Sequence, residues 1–103
     1  MIIDFHTHIY PPAVAAKILP AAKKKLKVAV PGTGSPEDLR SMMQLGGVSR
    51  SILLPLAKGC QDVSALNDWV QAAARENREL TAFGAVHPFM DGLEQELALV
   101  AQR

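Results

Sequence analysis

The sequence lacks the features that mark secreted, membrane-spanning and nucleic-acid-binding proteins. It has a single cysteine, Cys60, so it forms no internal disulfide and has no second thiol for a redox or zinc pair. The formal net charge is only +1, which gives no field that gathers nucleic acid or acidic membranes. Residue 1 is not followed by a basic and then apolar segment, and no apolar run approaches the length of a membrane span. We therefore expect a soluble, cytoplasmic protein.

Two common binding motifs are also missing. The glycines at 32, 34, 46 and 47 lack the spacing of a phosphate-binding loop, so they are interpreted as turn and cap residues. The lysines within residues 23–27 have no aromatic or arginine residues among them, which is typical of a solvated surface. No nucleotide cofactor and no nucleic-acid partner are implied.

The length and composition favour one globular domain over residues 1–103. Of these residues, 49% are hydrophobic and 20% are charged, which is ordinary for a soluble core-forming chain. The apolar patterns predict strands at about 2–10, 51–56 and 81–86, and helices at about 36–45, 65–79 and 91–102. Residues 13–27 are interpreted as a short helix plus loop, because Pro20 interrupts their helical pattern. Ser35 and Ser64 are expected to cap the two helices that follow them.

The order of these elements predicts the fold class. Strands that alternate with helices pair in parallel through right-handed crossovers, because a tight hairpin cannot reach a parallel neighbour. An α/β architecture with a parallel sheet is therefore expected.

The end of the first predicted strand carries a candidate metal site. Alternation along a strand places Asp4, His6 and His8 on one face, and neutral imidazole nitrogens two residues apart can converge on one divalent metal such as Zn²⁺. The C-terminal end of a strand is where α/β folds place their ligand sites. Asp4 is expected to support the site by accepting a ring N–H from a histidine, and not to bind the metal. The other interpretation is that both histidines lie on the polar face of an edge strand.

Two further residues with reactive side chains lie near the ends of predicted strands. His87 ends the third strand and is a candidate for contact with substrate at the same end of the sheet. An equally simple interpretation is that it bonds to nearby backbone before Pro88. Cys60 lies in the loop after the second strand and is expected to be incidental. The sequence identifies no residue as the catalytic acid or base.

Residues 3–11, with the sequence IDFHTHIYP, resemble the N-terminal signature of the amidohydrolase superfamily. The closest likeness is to the amidohydrolase-2 group, which includes the aminocarboxymuconate semialdehyde decarboxylase-like enzymes. Residues 66–70 (LNDWV) and 83–88 (FGAVHP) also resemble that group. The resemblance implies a TIM-like (β/α)₈ barrel, which needs about 250 residues, so this chain would supply the first three βα units. It also implies that His6 and His8 ligate a divalent metal, most often zinc, with the remaining ligands on later strands.

The resemblance implies a metal-dependent hydrolase, in which a metal-activated water attacks an amide, ester or lactone carbonyl. Decarboxylation by a member of the same group stays open, as does a non-catalytic small α/β interaction module. TatD-like nucleases and polymerase-and-histidinol-phosphatase phosphoesterases are rivals, because their barrels also begin with an Asp-x-His-x-His strand. Three parallel strands cannot close a barrel, so we expect a fragment that is inactive alone. Its edges would be covered by the remainder of a longer chain or by copies in a homo-oligomer.

Overall fold

The computed structural model of the protein describes residues 1–27 and 29–102, so residues 28 and 103 of the segment predicted over 1–103 lie outside the described residues. The elements are strands β1 (Ile3–Thr7), β2 (Arg50–Leu53) and β3 (Leu80–Ala82), helices α1 (Pro12–Leu26), α2 (Pro36–Gly46), α3 (Val63–Glu76) and α4 (Leu93–Gln102), and a 3-10 turn at Cys60–Asp62. None of the helices in this described part is long and apolar enough to cross a membrane.

The strands form one parallel sheet in the order β1-β2-β3, which confirms the predicted α/β class. One cluster of buried side chains joins the sheet to α2 and α3; its members are Ile9, Met43, Leu53, Leu66, Val70, Ala73 and Leu80. Because Met43 of α2 and Val70 of α3 both pack in this cluster with Leu53 and Leu80, the two helices cover the same face of the sheet. The connection from β1 to β2 and the connection from β2 to β3 therefore both cross the face of the sheet that α2 and α3 cover.

Helix α1 corrects the prediction of a short helix plus loop. Pro12–Leu26 forms one α-helix with Pro20 inside it. A proline removes one N–H donor and its ring crowds the carbonyl four residues earlier, here that of Ala16. Alanine, the best helix former, occupies five positions of α1 and outweighs this local cost. The helix ends at Lys27, whose backbone is left-handed with φ 54°.

The cap predictions had different outcomes. Ser35 caps α2 as predicted, since its Oγ accepts the backbone N–H of Asp38 at 3.1 Å. The cap assigned to Ser64 was wrong, because α3 already begins at Val63 and the Ser64 hydroxyl donates instead to the Glu96 carboxylate. The strands are also shorter than the apolar runs that predicted them, because a run of apolar residues continues past the last ladder hydrogen bond.

Candidate metal centre

Strand β1 contains a β-bulge between Asp4 and Thr7, in the segment that includes the candidate ligand His6. Asp4 pairs with Ser51 and Thr7 pairs with Leu53, so three steps along β1 match two steps along β2. One extra residue therefore lies between Asp4 and Thr7. A bulge bends its strand and changes the direction of the side chains that follow it, and bulges are frequent beside functional sites.

Asp4 stabilises this bulge. The extra residue of a bulge has no partner in the ladder, and the backbone N–H of His6 donates to Asp4 Oδ1 at 3.0 Å. This contact differs from the expected one, in which Asp4 accepts the ring N–H of a histidine. Asp4 thus supports the site through the backbone of His6. Simple alternation does not hold from Asp4 to Thr7, because the extra residue lies between them.

At the end of β1, the imidazoles of His6 and His8 converge. Their Nε2 atoms are 3.2 Å apart, and the rings meet edge to face with centroids 5.0 Å apart and an interplanar angle of 84°. Thr7, between them, is buried and its hydroxyl donates to the Ile52 carbonyl at 2.7 Å. Because Thr7 pairs with Leu53 of the core, the two histidines point to the opposite face of the sheet from α2 and α3.

The tautomer of His8 follows from its contact with β2. Nδ1 of His8 lies 2.7 Å from the backbone carbonyl of Leu54, which can only accept, so Nδ1 carries a proton. In the neutral ring the lone pair is then on Nε2 and faces Nε2 of His6. Two lone pairs at 3.2 Å repel each other, so either a proton on His6 or a cation must lie between the rings.

The donor set fits a divalent metal of the zinc type. Ligand nitrogens about 2.0–2.1 Å from a tetrahedral zinc lie roughly 3.3 Å from each other. The observed separation of 3.2 Å between His6 Nε2 and His8 Nε2 is close to that value. A carbonyl that accepts the second ring N–H of a histidine ligand, as Leu54 does for His8, is the usual support for such a ligand.

Among the described residues, His6 and His8 are two candidate ligands and not a full set. No group of three or more His, Cys, Asp or Glu side chains within residues 1–27 and 29–102 could hold a metal ion. Structural zinc takes four protein ligands, and catalytic zinc takes three with an open position. Any complete centre therefore needs at least one ligand beyond His6 and His8.

The contacts of His87 are local. Its Nδ1 accepts the backbone N–H of Phe89 at 3.1 Å, and its own backbone N–H lies 3.5 Å from the Met90 sulfur. These are the contacts of the local alternative, in which a histidine at the end of a strand bonds to nearby backbone. The structure does not bring the His87 ring into contact with His6 or His8 among the described residues.

Sequence reasoning missed the side chain that holds the His87 segment. The Asn67 amide pairs with both backbone groups of Ala85, accepting its N–H at 2.9 Å and donating to its carbonyl at 2.8 Å. The same amide nitrogen donates to Glu96 Oε1 at 2.7 Å, and Ser64 Oγ donates to the other oxygen of that carboxylate. Asn67 and Glu96 are 2% and 3% exposed. The segments 66–70 and 83–88, which the sequence analysis identified separately, therefore touch through Asn67.

One further group beside the candidate centre, the Leu54 carbonyl, had no sequence signal. The Leu54 carbonyl is a backbone group, which every residue has, so its role depends on the register between β1 and β2. Tyr10 stacks beside His8 with ring centroids 6.4 Å apart and an interplanar angle of 26°. Cys60 Sγ lies 3.8 Å from Oε1 of the neighbouring Gln61. This contact does not bring the thiol to His6 or His8.

Comparisons of the chain with protein-family models, with curated proteins and with solved structures find no match. The likeness to the amidohydrolase group therefore depends on the residues of this chain alone.

Proposed function

We propose that the protein provides the first metal-binding strand of an amidohydrolase-type, metal-dependent hydrolase. The observation that carries this proposal is the convergence of His6 Nε2 and His8 Nε2, 3.2 Å apart, at the end of β1. His6 and His8 would hold a divalent cation, most often zinc, and the substrate would be an amide, ester or lactone.

The strand order supports the barrel that this proposal requires. In a (β/α)₈ barrel each new strand joins the previous one on the same side, which gives the order β1-β2-β3. A doubly wound sheet of order 2-1-3-4-5 would place β1 between β2 and β3, which differs from the order here, whereas the first three strands of a 3-2-1-4-5-6 sheet are arranged as they are here. The strand order therefore agrees with a barrel, and the interpretation of β1–β3 as its first three βα units rests on the resemblance of residues 3–11.

The residues of this chain prepare the site in two ways. The Leu54 carbonyl holds the proton of His8 on Nδ1 and so leaves its Nε2 as an acceptor. Asp4 fixes the backbone of His6 within the irregular part of β1. When bound, a divalent metal supplies a water of lowered pKa and polarises a carbonyl. Because a cation and a proton compete for the space between the rings, a bound cation would require the neutral His6 ring to carry its proton on Nδ1.

The proposal also places a neighbour on each edge of the sheet. Among residues 1–27 and 29–102, β1 and β3 each pair with β2 alone, and Phe5 and Phe83 are 66% and 53% exposed beside them. Exposed apolar edge strands associate readily with other strands. We propose that a further part of a longer chain or a second copy covers them. A compact, stable monomer of these 103 residues in light scattering would contradict this.

Metal titration of the protein tests the site. Cobalt(II) absorption and the ¹⁵N shifts of the histidine rings would follow binding in the parent, His6→Ala, His8→Ala and, as a matched control, His87→Ala. We expect Nε2 of His6 and His8 to shift with metal, and either substitution to weaken binding at least about tenfold. The His87→Ala variant should bind like the parent. Equal affinity in all four proteins would contradict the assignment.

Hydrolysis is tested on the longest reading frame that contains these residues. With zinc, it should hydrolyse an activated carboxylic ester, and both a chelator and His6→Ala should abolish the activity. Cleavage of a phosphodiester but not of the ester would favour the nuclease or phosphoesterase barrels. Ester hydrolysis that survives the chelator would refute the metal-dependent mechanism.

A further inference from the structure

A second concave site lies between α1, the turn before α2 and one side of α3. Its volume is about 700 Å³, within the range of roughly 300–1,000 Å³ that is usual for small-molecule pockets. Most of its wall is apolar, including Ala15, Ala16, Leu19, Trp69 and Ala72. Neither His6 nor His8 lines it, so this cleft is separate from the candidate metal centre.

Tyr10 adds a polar group to the cleft. It lines the cleft and is 6% exposed, and its hydroxyl has no hydrogen-bond partner among the described residues. Burial raises the pKa of the Tyr10 phenol, so the group is neutral at physiological pH. The hydroxyl oxygen itself still reaches solvent, since among the described residues Ser51 Oγ is the fully buried side-chain oxygen without a partner, so a polar atom of a ligand would replace water at the Tyr10 hydroxyl.

The charged groups of the cleft are all acidic. Glu37 and Glu76 line it, and no lysine, arginine or histidine does so among the described residues. Neither carboxylate has an ion pair in the described part of the chain. A cleft lined by one sign of charge concentrates ligands of the opposite sign.

The helix terminus at the cleft does not reverse this preference. The N-terminus of α2 has a positive dipole end, which by itself favours an anion. However, Ser35 already accepts the Asp38 N–H, and the carboxylates of Glu37 and Asp38 occupy the first turn. The two full negative charges there exceed a dipole end equivalent to about half a charge.

We propose that this cleft binds a small organic cation with an apolar body, of the arylalkylammonium class. Its apolar body would pack against Leu19 and Trp69, and its ammonium group would pair with the carboxylates of Glu37 and Glu76. An indole face attracts cations as well as apolar groups, which suits Trp69 to this ligand. The inference does not rest on the proposed hydrolase.

Trp69 is the single tryptophan of the chain and lines the cleft, so its fluorescence reports occupancy directly. The probes are 2-phenylethylammonium, the neutral 2-phenylethanol and the anionic 3-phenylpropanoate, each titrated in the presence of a chelator. We expect a saturable change with the cation, affinity at least about tenfold weaker for the alcohol, and no binding of the anion.

Variants assign the binding to the acidic groups of the cleft. The double variant Glu37→Gln with Glu76→Gln should bind the cation about tenfold more weakly than the parent does, and its affinity for the alcohol should be unchanged. Glu94→Gln, at an exposed glutamate of α4 outside the cleft, is the matched control and should bind like the parent. His6→Ala should also bind like the parent, which separates this site from the metal centre.

Three outcomes would overturn the proposal. The first is equal affinity for the cation and the alcohol. The second is no saturation at millimolar cation. The third is sedimentation that shows a second copy covering the cleft, with self-association that the double variant abolishes.

Discussion

Replacement of Asn67 by alanine removes a side chain that joins three parts of the chain. Its amide makes two hydrogen bonds to Ala85, in the segment after β3, and one to Glu96 of α4, while Asn67 itself lies on α3. The substitution therefore separates α3 from both neighbours at a position that is 2% exposed.

The cost follows from the environment of each lost bond. The two bonds to Ala85 are partly buried, so water can replace the amide and each loss costs about 1 kcal/mol. The bond to Glu96 is buried and its acceptor is a carboxyl group, so its loss costs about 1.5–3 kcal/mol. The sum is roughly 3–5 kcal/mol, a large share of the 5–15 kcal/mol that is typical of a whole domain.

Asn77→Ala is the matched control, because it is the same substitution with a single bond at stake. The Asn77 amide donates to the Ala73 carbonyl at 2.7 Å in a partly buried setting, so we expect a loss of about 0.5–1.5 kcal/mol. Urea unfolding of both variants, followed by Trp69 fluorescence and circular dichroism, gives the two free energies of unfolding. Hydrogen exchange of the Ala85 N–H should be faster in Asn67→Ala only. Free energies within about 0.5 kcal/mol of each other would refute the argument.

Three further predictions use other features of the fold. Pro20→Ala should restore a hydrogen bond to the Ala16 carbonyl in α1 and raise the free energy of unfolding by about 1–3 kcal/mol, seen as a higher Tm. Glu79→Gln should cost at most about 1 kcal/mol near neutral pH, because the ion pair with Arg40 is largely exposed. The hydrogen bond from Arg40 lowers the pKa of Glu79 in the folded protein. The stability that this carboxylate contributes is therefore present above the pKa of Glu79 in the unfolded chain and is lost as pH falls through its pKa in the folded protein. The free energies of unfolding of parent and variant, from urea titrations, should converge in acid. Burial raises the pKa of Tyr10 in the folded protein. The stability that the neutral phenol contributes is therefore complete below the pKa of Tyr10 in the unfolded chain and is lost as pH rises through its pKa in the folded protein. In the same urea titrations, Tyr10→Phe should lose less stability at alkaline pH than the parent.

The periodic features of the sequence predicted the parts of the fold that depend on many residues together. The three strands, the parallel pairing and the helices α2, α3 and α4 all follow from repeated apolar patterns. The α1 region was mispredicted because one residue, Pro20, was given more weight than the alanines around it. Helix propensity is summed over a segment, so a single unfavourable residue does not decide the outcome.

The long-range contacts that hold His8 and the His87 segment were not predictable in the same way. The Leu54 carbonyl reaches His8 only because β1 and β2 pair in one register, and Asn67 reaches Ala85 only after α3 packs beside β3. Each of these contacts joins residues distant in sequence, and Leu54 contributes only a backbone atom, which no residue type marks. A single sequence carries no local signal for such contacts.

The bulge in β1 limits what alternation predicts about the site, because the extra residue lies between Asp4 and Thr7, the segment that contains His6. The rings of His6 and His8 converge as alternation predicts, with their Nε2 atoms 3.2 Å apart. Asp4 accepts the backbone N–H of His6, a contact that alternation does not predict. Asp4→Asn keeps an oxygen that accepts the His6 N–H, whereas Asp4→Ala removes the acceptor. If Asp4 acts through the backbone, the alanine variant alone should weaken cobalt(II) binding; equal weakening by both would instead indicate that the carboxylate charge acts on the metal.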